Sequence, residues 1–136
     1  MADVLVVETA PLVRDMISDI LRDAGLTVTE ATSAEAAHGA VNIAFRSLDV
    51  LVTSIVLDGG GMDGRGLAAE LRRRWPGLGV VYLAERSAAL TDDALDARER
   101  CLTKPFEPAQ LARLVCELAP PCPNPPRMIR GRVVMR

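Results

Sequence analysis

At 136 residues, 49% hydrophobic and 25% charged, the chain is the size and composition of one globular domain able to bury its own core. A net charge of -2 argues against general nucleic-acid binding, and no apolar run approaches the roughly 20 residues that span a bilayer. The charge is uneven: four arginines and no acids from Pro120 onward give +4, which leaves -6 on residues 1–119.

Residues 4–7 (Val-Leu-Val-Val) form a short apolar run, as in a strand buried on both faces. The N-terminus enters it without the basic and apolar regions of a signal peptide, so a cytoplasmic protein is expected. The cysteines Cys101, Cys116 and Cys122 are odd in number and lack metal-ligand spacing, which agrees with reduced thiols. Pro11 opens a helix with Leu12, Val13, Met16, Ile17, Ile20, Leu21 and Ala24 on one stripe and Arg14, Asp15, Asp19 and Arg22 opposite. Gly25 stops it. A second strand is expected over residues 27–31, then a helix capped by Ser33 with Glu35 in its first turn, fading near Arg46.

The third strand, residues 50–55, begins fully apolar and so reads as central. A glycine-rich loop, Leu57-Asp58-Gly59-Gly60-Gly61-Met62-Asp63-Gly64, leads to a helix over residues 65–75 closed by Pro76-Gly77. Residues 80–83 make a fourth strand, 88–98 a polar helical stretch, 101–103 a short fifth strand, and 108–118 a final helix with Leu111, Leu114, Val115 and Leu118 inward. Strands alternating with helices imply right-handed βαβ units, a parallel sheet covered on both faces, and a doubly wound α/β domain. Its crevice lies at the carboxyl ends of the strands, which directs attention to Glu8 and Thr9, to Ser54, Ile55 and Val56, to Ala84 and Glu85, and to Lys104 and Pro105. Residues 1–119 form that domain, and the proline-rich, arginine-bearing residues 120–136 read as a tail or linker, extended and exposed.

Read in order, these pieces resemble the receiver domain of two-component response regulators, the CheY-like family, from Val4 to about Leu118. Val4-Leu5-Val6-Val7-Glu8 with Pro11 looks like the first strand and its acidic turn. Asp49-Val50-Leu51-Val52-Thr53-Ser54-Ile55 looks like the third strand and phosphorylation site. Gly61-Met62-Asp63-Gly64 resembles the opening of the third helix, and Leu102-Thr103-Lys104-Pro105-Phe106 the lysine–proline signature. The resemblance implies a flavodoxin-like sheet with strand order 2-1-3-4-5 and a role in phosphorelay signal transduction; the chemistry of the site argues for a non-enzymatic interaction module that works without aspartyl phosphorylation. The resemblance also implies signalling partners: a histidine kinase, a phosphotransfer protein or an output protein, or a second copy of the chain. The surface would be the 88–98 stretch with the 101–103 strand and 108–118 helix, or the first helix.

The departures fall on the switch itself. The family's pair of acids after the first strand is Glu8 and Thr9 here, and its phosphoacceptor aspartate is Ser54. The hydroxyl residue ending the fourth strand is Ala84, the aromatic three residues before the lysine is Cys101, and the loop between Ser54 and Gly64 is longer. Aspartyl phosphate forms when a carboxylate attacks a phosphoryl donor while Mg²⁺ and a lysine balance the charge. Mg²⁺ wants hard oxygen ligands, with one or two carboxylates among them. Glu8 alone remains, so no metal and no cofactor are expected. Lys104 is then expected to pair with Glu8 or to bond Ser54.

The other marked residues have plainer readings. Pro105, with a cis bond common in the family, and Phe106 are structural. Asp58 and Asp63 are turn residues, Asp58 having a second reading as a displaced acceptor. Gly59-Gly60-Gly61 lacks the Gly-Lys-Ser/Thr of a phosphate loop. His38 is a surface or half-buried helix residue, and Arg72-Arg73-Arg74 is a solvated helix end. Cys101 is a small buried hydrophobe, with a redox role for Cys101 or Cys116 as the alternative. Residues 128–135 of the tail could add to a sheet edge or meet an acidic partner.

Overall fold

The computed structural model describes residues 2–44, 48–57, 62–85 and 95–119. Five strands, β1 (Asp3–Val7), β2 (Thr27–Ala31), β3 (Val50–Ser54), β4 (Gly79–Ala84) and β5 (Glu99–Thr103), form one parallel sheet in the order β2-β1-β3-β4-β5. Four helices accompany them among the described residues: α1 (Pro11–Asp23), α2 (Ala34–Ala44), α3 (Gly64–Arg74) and α4 (Pro108–Leu118). This is the flavodoxin-like, CheY-like arrangement expected from the sequence.

Two cores follow from the period-two alternation of the strands. Leu5, Val7, Leu51, Val80 and Tyr82 face α2 and α3, where Val41, Leu67 and Leu71 meet them. Val4, Val6, Val50, Val52, Val81, Leu83 and Leu102 face α1 and α4, against Ile17, Leu21, Leu111, Val115 and Leu118. β3 and β4 are buried along their whole length, since both faces are covered. Among the described residues, Tyr82 is the one aromatic fully buried in either core, so aliphatic packing does most of the work at roughly 1.5–3 kcal/mol per buried side chain.

The punctuation works as its chemistry requires. Gly25 takes φ +89° and ends α1, with its N–H on the Arg22 carbonyl at 3.0 Å. The Ser33 hydroxyl accepts from the Ala36 N–H at 3.1 Å. Asp63, read from the sequence as a solvated turn residue, is the N-cap of α3, where its carboxylate accepts from the Gly66 N–H at 2.8 Å.

Three expectations need correction. The α1 stripe is narrower than drawn: Leu12 is 83% and Met16 44% exposed, while Ala24 is also exposed. At 100° per residue, Leu12 and Met16 turn away from the Val13–Ile17–Leu21 line that meets the sheet. Arg14, placed on the solvent side, is half-buried over β2, bonding Glu30 and the Glu8 carbonyl. The 88–98 helix does not reach Arg98. Its residues 88–94 lie outside the described ones, and residues 95–98 turn directly into β5, which starts two residues early at Glu99. The Asp96 carboxylate accepts the Arg98 N–H at 2.8 Å, an Asx turn that competes with helix.

Candidate functional site

The same alternation that builds the α1/α4 core builds the crevice. Val4 and Val6 are followed by Glu8, Val50 and Val52 by Ser54, and Leu102 by Lys104, so three polar residues continue three apolar rows past the end of the sheet. β1 and β3 pair with Val6 beside Val52 and Val7 beside Thr53, which sets Glu8 and Ser54 side by side. Lys104 follows β5, positioned by its N–H on the Ala84 carbonyl at 2.8 Å and joined to Pro105 by a cis peptide bond.

Glu8 is the hub. Its Oε1 accepts from the Ser54 hydroxyl and from Lys104 Nζ at 3.2 Å, and its Oε2 accepts from the Ala10 N–H at 3.1 Å. Lys104 Nζ also reaches Ser54 Oγ at 3.3 Å. The two sequence alternatives for Lys104, pairing with Glu8 or bonding Ser54, are thus both realised. Burial pushes the Glu8 carboxyl up, but the Ser54 hydroxyl, the Ala10 amide and the Lys104 ammonium together bring it below its ordinary value. Glu8 and Ser54 are each 4% exposed and Lys104 is half-buried, so this is a largely buried, hydrogen-bonded ion pair with a hydroxyl bridging its two ends.

A close backbone approach holds the site from α3. Gly64 donates its N–H to the Ile55 carbonyl at 2.7 Å, and a Cβ on Gly64 would run into the Ser54 carbonyl oxygen. Only glycine lets the helix start here. On the other side, Arg14 donates to the Glu8 carbonyl at 2.9 Å and to that of Thr9 at 3.4 Å, so the turn after β1 is tied to α1.

Among the described residues, the side chains of Ala84, Cys101 and Pro105 make no hydrogen bond to the cluster. Thr9 is half-buried beside Glu8. Ala84 is buried at the end of β4 and contributes its carbonyl, while Pro105 is exposed. Cys101 is half-buried within β5, opposite Tyr82 in the pairing with β4. Asp58 and Gly59-Gly60-Gly61 lie outside the described residues, as do Cys122 and the tail. Among the described residues, no group of three or more His, Cys, Asp or Glu side chains is gathered where it could hold a metal ion.

A second polar constellation escaped the sequence reading. Tyr82 donates its hydroxyl to Glu99 Oε2 at 2.7 Å; Arg72 lies 3.4 Å from that oxygen and 2.8 Å from Asp96 Oδ2. Burial, the hydrogen bond to Glu99 and its negative charge push the Tyr82 phenol well above its ordinary value, so it stays neutral. The available signal was a lone tyrosine in an apolar strand, whose hydroxyl needs a partner when buried. Arg72 therefore bridges elements, where the sequence suggested a solvated helix end. Arg74 stacks 4.4 Å above the Trp75 ring. His38 lies 3.5 Å from Glu70, half-buried as expected.

Comparison with known proteins bears on this geometry directly. The family described as "Response regulator receiver domain" matches residues 4–115. The chain belongs to the response regulator receiver domain family. A receiver domain from Clostridium thermocellum superposes with a TM-score of 0.74 at 21% identity, covering 87% of this chain and 94% of that one. NtrX from Brucella abortus gives 0.74 at 29% identity, over 87% of this chain but only 27% of that longer protein. A receiver protein from Sinorhizobium medicae gives 0.73 at 24%, over 86% and 93%. No curated protein sequence matches the chain. The receiver is thus a two-component signalling module, and no helix among its described residues is long and apolar enough to cross a membrane.

Proposed function

We propose that this receiver signals by binding a partner protein, without aspartyl phosphorylation and without Mg²⁺. The observation that carries the reading is the closed Glu8–Ser54–Lys104 cluster: the ammonium lies 3.2 Å from the carboxylate and 3.3 Å from the hydroxyl. Transfer to a carboxylate needs a nucleophile at the strand end, and a serine there needs a general base. Glu8 is a poor base, because its partners favour the ionised form and lower its pKa. Both Glu8 oxygens already accept hydrogen bonds. A Mg²⁺ ion would have to displace the lysine and find its other oxygens from hydroxyls, carbonyls and water.

In this reading the cluster takes over the structural part of the receiver's task. One positive and one negative charge cancel locally, and the hydroxyl ties them to β3. The partner is a signalling protein: a kinase, a phosphotransfer protein or an output protein, or a second copy of the chain. The test is incubation of the full chain with acetyl phosphate and Mg²⁺, read by intact mass, beside a Mg²⁺ titration. The expected result is no stoichiometric phosphoryl adduct and no Mg²⁺ binding at sub-millimolar concentration. A stoichiometric, hydroxylamine-labile phosphate would overturn the reading, and if mapped to Asp58 would establish a displaced acceptor.

A further inference from the structure

The outward face of α1 combines two features that a free helix surface does not need together. Measured around the axis at 100° per residue from Leu12, the residues Asp15, Asp19, Asp23 and Met16 all fall within an arc of about 100°. All five are exposed, with Leu12 at 83% and Met16 at 44%. The three aspartates stand at i, i+4 and i+8, where neighbouring like charges repel, and Asp23 sits at the helix C-terminus, whose dipole also disfavours it. Among the described residues no ion pair relieves any of the three. The nearest basic residue on the helix, Arg22, is instead turned to Glu30 at 3.3 Å and to the Val28 carbonyl. This face is therefore acidic, apolar and locally unfavourable.

The opposite chemistry lies in the chain's own sequence. Residues 127–136 read Arg-Met-Ile-Arg-Gly-Arg-Val-Val-Met-Arg: four arginines interleaved with five large apolar residues, and no acid. We propose that this segment docks on the outer face of α1, with arginines on Asp15, Asp19 and Asp23 and apolar side chains over Leu12 and Met16.

The topology brings the two within reach. Leu118 packs over Gly79 at the start of β4, and the Thr27 N–H after α1 bonds to Ala2 before β1. Thus α1 and α4, which share one face of the sheet, both end at the edge where the strands begin. β2 and β4 are three strand spacings apart, or about 14 Å. The seven residues 120–126, five of them proline, span roughly 22 Å in a polyproline conformation. The ten that follow exceed the roughly 20 Å length of α1 even when only partly extended. The tail can therefore leave α4, cross to the end of α1 and run back along it. A signalling partner that uses α1 would have to displace it.

The test is reciprocal and uses the full chain. Amide spectra are compared between the parent and a tail variant with Arg127, Arg130, Arg132 and Arg136 changed to glutamate. The expected shifts concentrate on residues 12–23. In the converse variant, D15N/D19N/D23N, the resonances of residues 127–136 are expected to move. Both effects should largely vanish in 1 M NaCl, where the screening length falls to about 3 Å. The proposal is overturned if the α1 resonances do not respond or if the changes fall on the β2 or β5 edge, which would mean strand addition. It is equally overturned if the response depends on protein concentration, which would mean docking onto a second copy. The phosphodonor experiment reads a mass and this one reads α1, so either can fail without the other.

Discussion

The crevice at Glu8 and the network at Tyr82 solve the same physical problem with opposite signs. In the crevice a buried carboxylate is kept ionised, because an ammonium, a hydroxyl and an amide all donate to it. At the β4–β5 pair a buried phenol is kept neutral, because burial disfavours its anion and its partner is itself an acid. The first arrangement depends on charge and should be fragile toward loss of one partner. The second depends on a hydrogen bond from a neutral phenol to a carboxylate that Arg72 also pairs, and should lose less. The comparison teaches that a serine at the end of the third strand need not loosen a receiver: a compact ion pair can occupy the crevice, while another polar contact joins β4 to β5.

The largest effect should come from Lys104→Met, which keeps the side chain's length but leaves Glu8 buried without its counterion. We expect a loss of about 3–5 kcal/mol in chemical denaturation. A loss under 1 kcal/mol would place Glu8 in contact with water and break the comparison. Gly64→Ala should cost about 1–3 kcal/mol, because the new methyl meets the Ser54 carbonyl, which is backbone and cannot swing aside. Tyr82→Phe should cost about 1.5 kcal/mol, the low end for a hydrogen bond to a charged group, since Arg72 still partners Glu99 after the hydroxyl is gone. Equal losses for Tyr82→Phe and Lys104→Met would remove the contrast between the two regions.

The pH dependence sharpens it further. Glu8 has a folded pKa lowered below 4.5, so the unfolded chain binds the proton more readily. Its contribution to stability is present above 4.5 and is lost as the pH falls through the lower folded value. The stability gap between the parent and Glu8→Gln should therefore be widest near neutral pH and shrink in acid, as measured by denaturation midpoints from pH 7 downward. Tyr82→Phe should show no comparable narrowing, because the phenol is neutral throughout that range. A gap for Glu8→Gln that stays constant in acid would show that the carboxylate's charge is not what the cluster recognises.

Much of the fold was legible because it rests on local periodicity. The apolar runs marked β1 and β3, Pro11 and Gly25 bounded α1, and Pro108 to Leu118 was read to the residue. The crevice was legible too, since a motif placed Lys104 and Glu8 at strand ends that a parallel sheet must bring together. Three things were not. The start of β5 depends on an Asx turn at Asp96, which a polar helical pattern conceals. The true buried stripe of α1 depends on how the helix is rotated against its neighbours. The roles of Arg14 and Arg72 depend on acids from distant strands.

By itself, then, the sequence determined the alternation of elements, the family, and the serine at the end of the third strand, because each is written in neighbouring residues. Only the tertiary structure decided that Ser54, Glu8 and Lys104 form one closed cluster, and that Leu12 and Met16 face outward among three aspartates. The physical reason is that burial and charge pairing are set by residues far apart in the chain. Glu8 and Lys104 are 96 residues apart, and only the register of the sheet makes them neighbours.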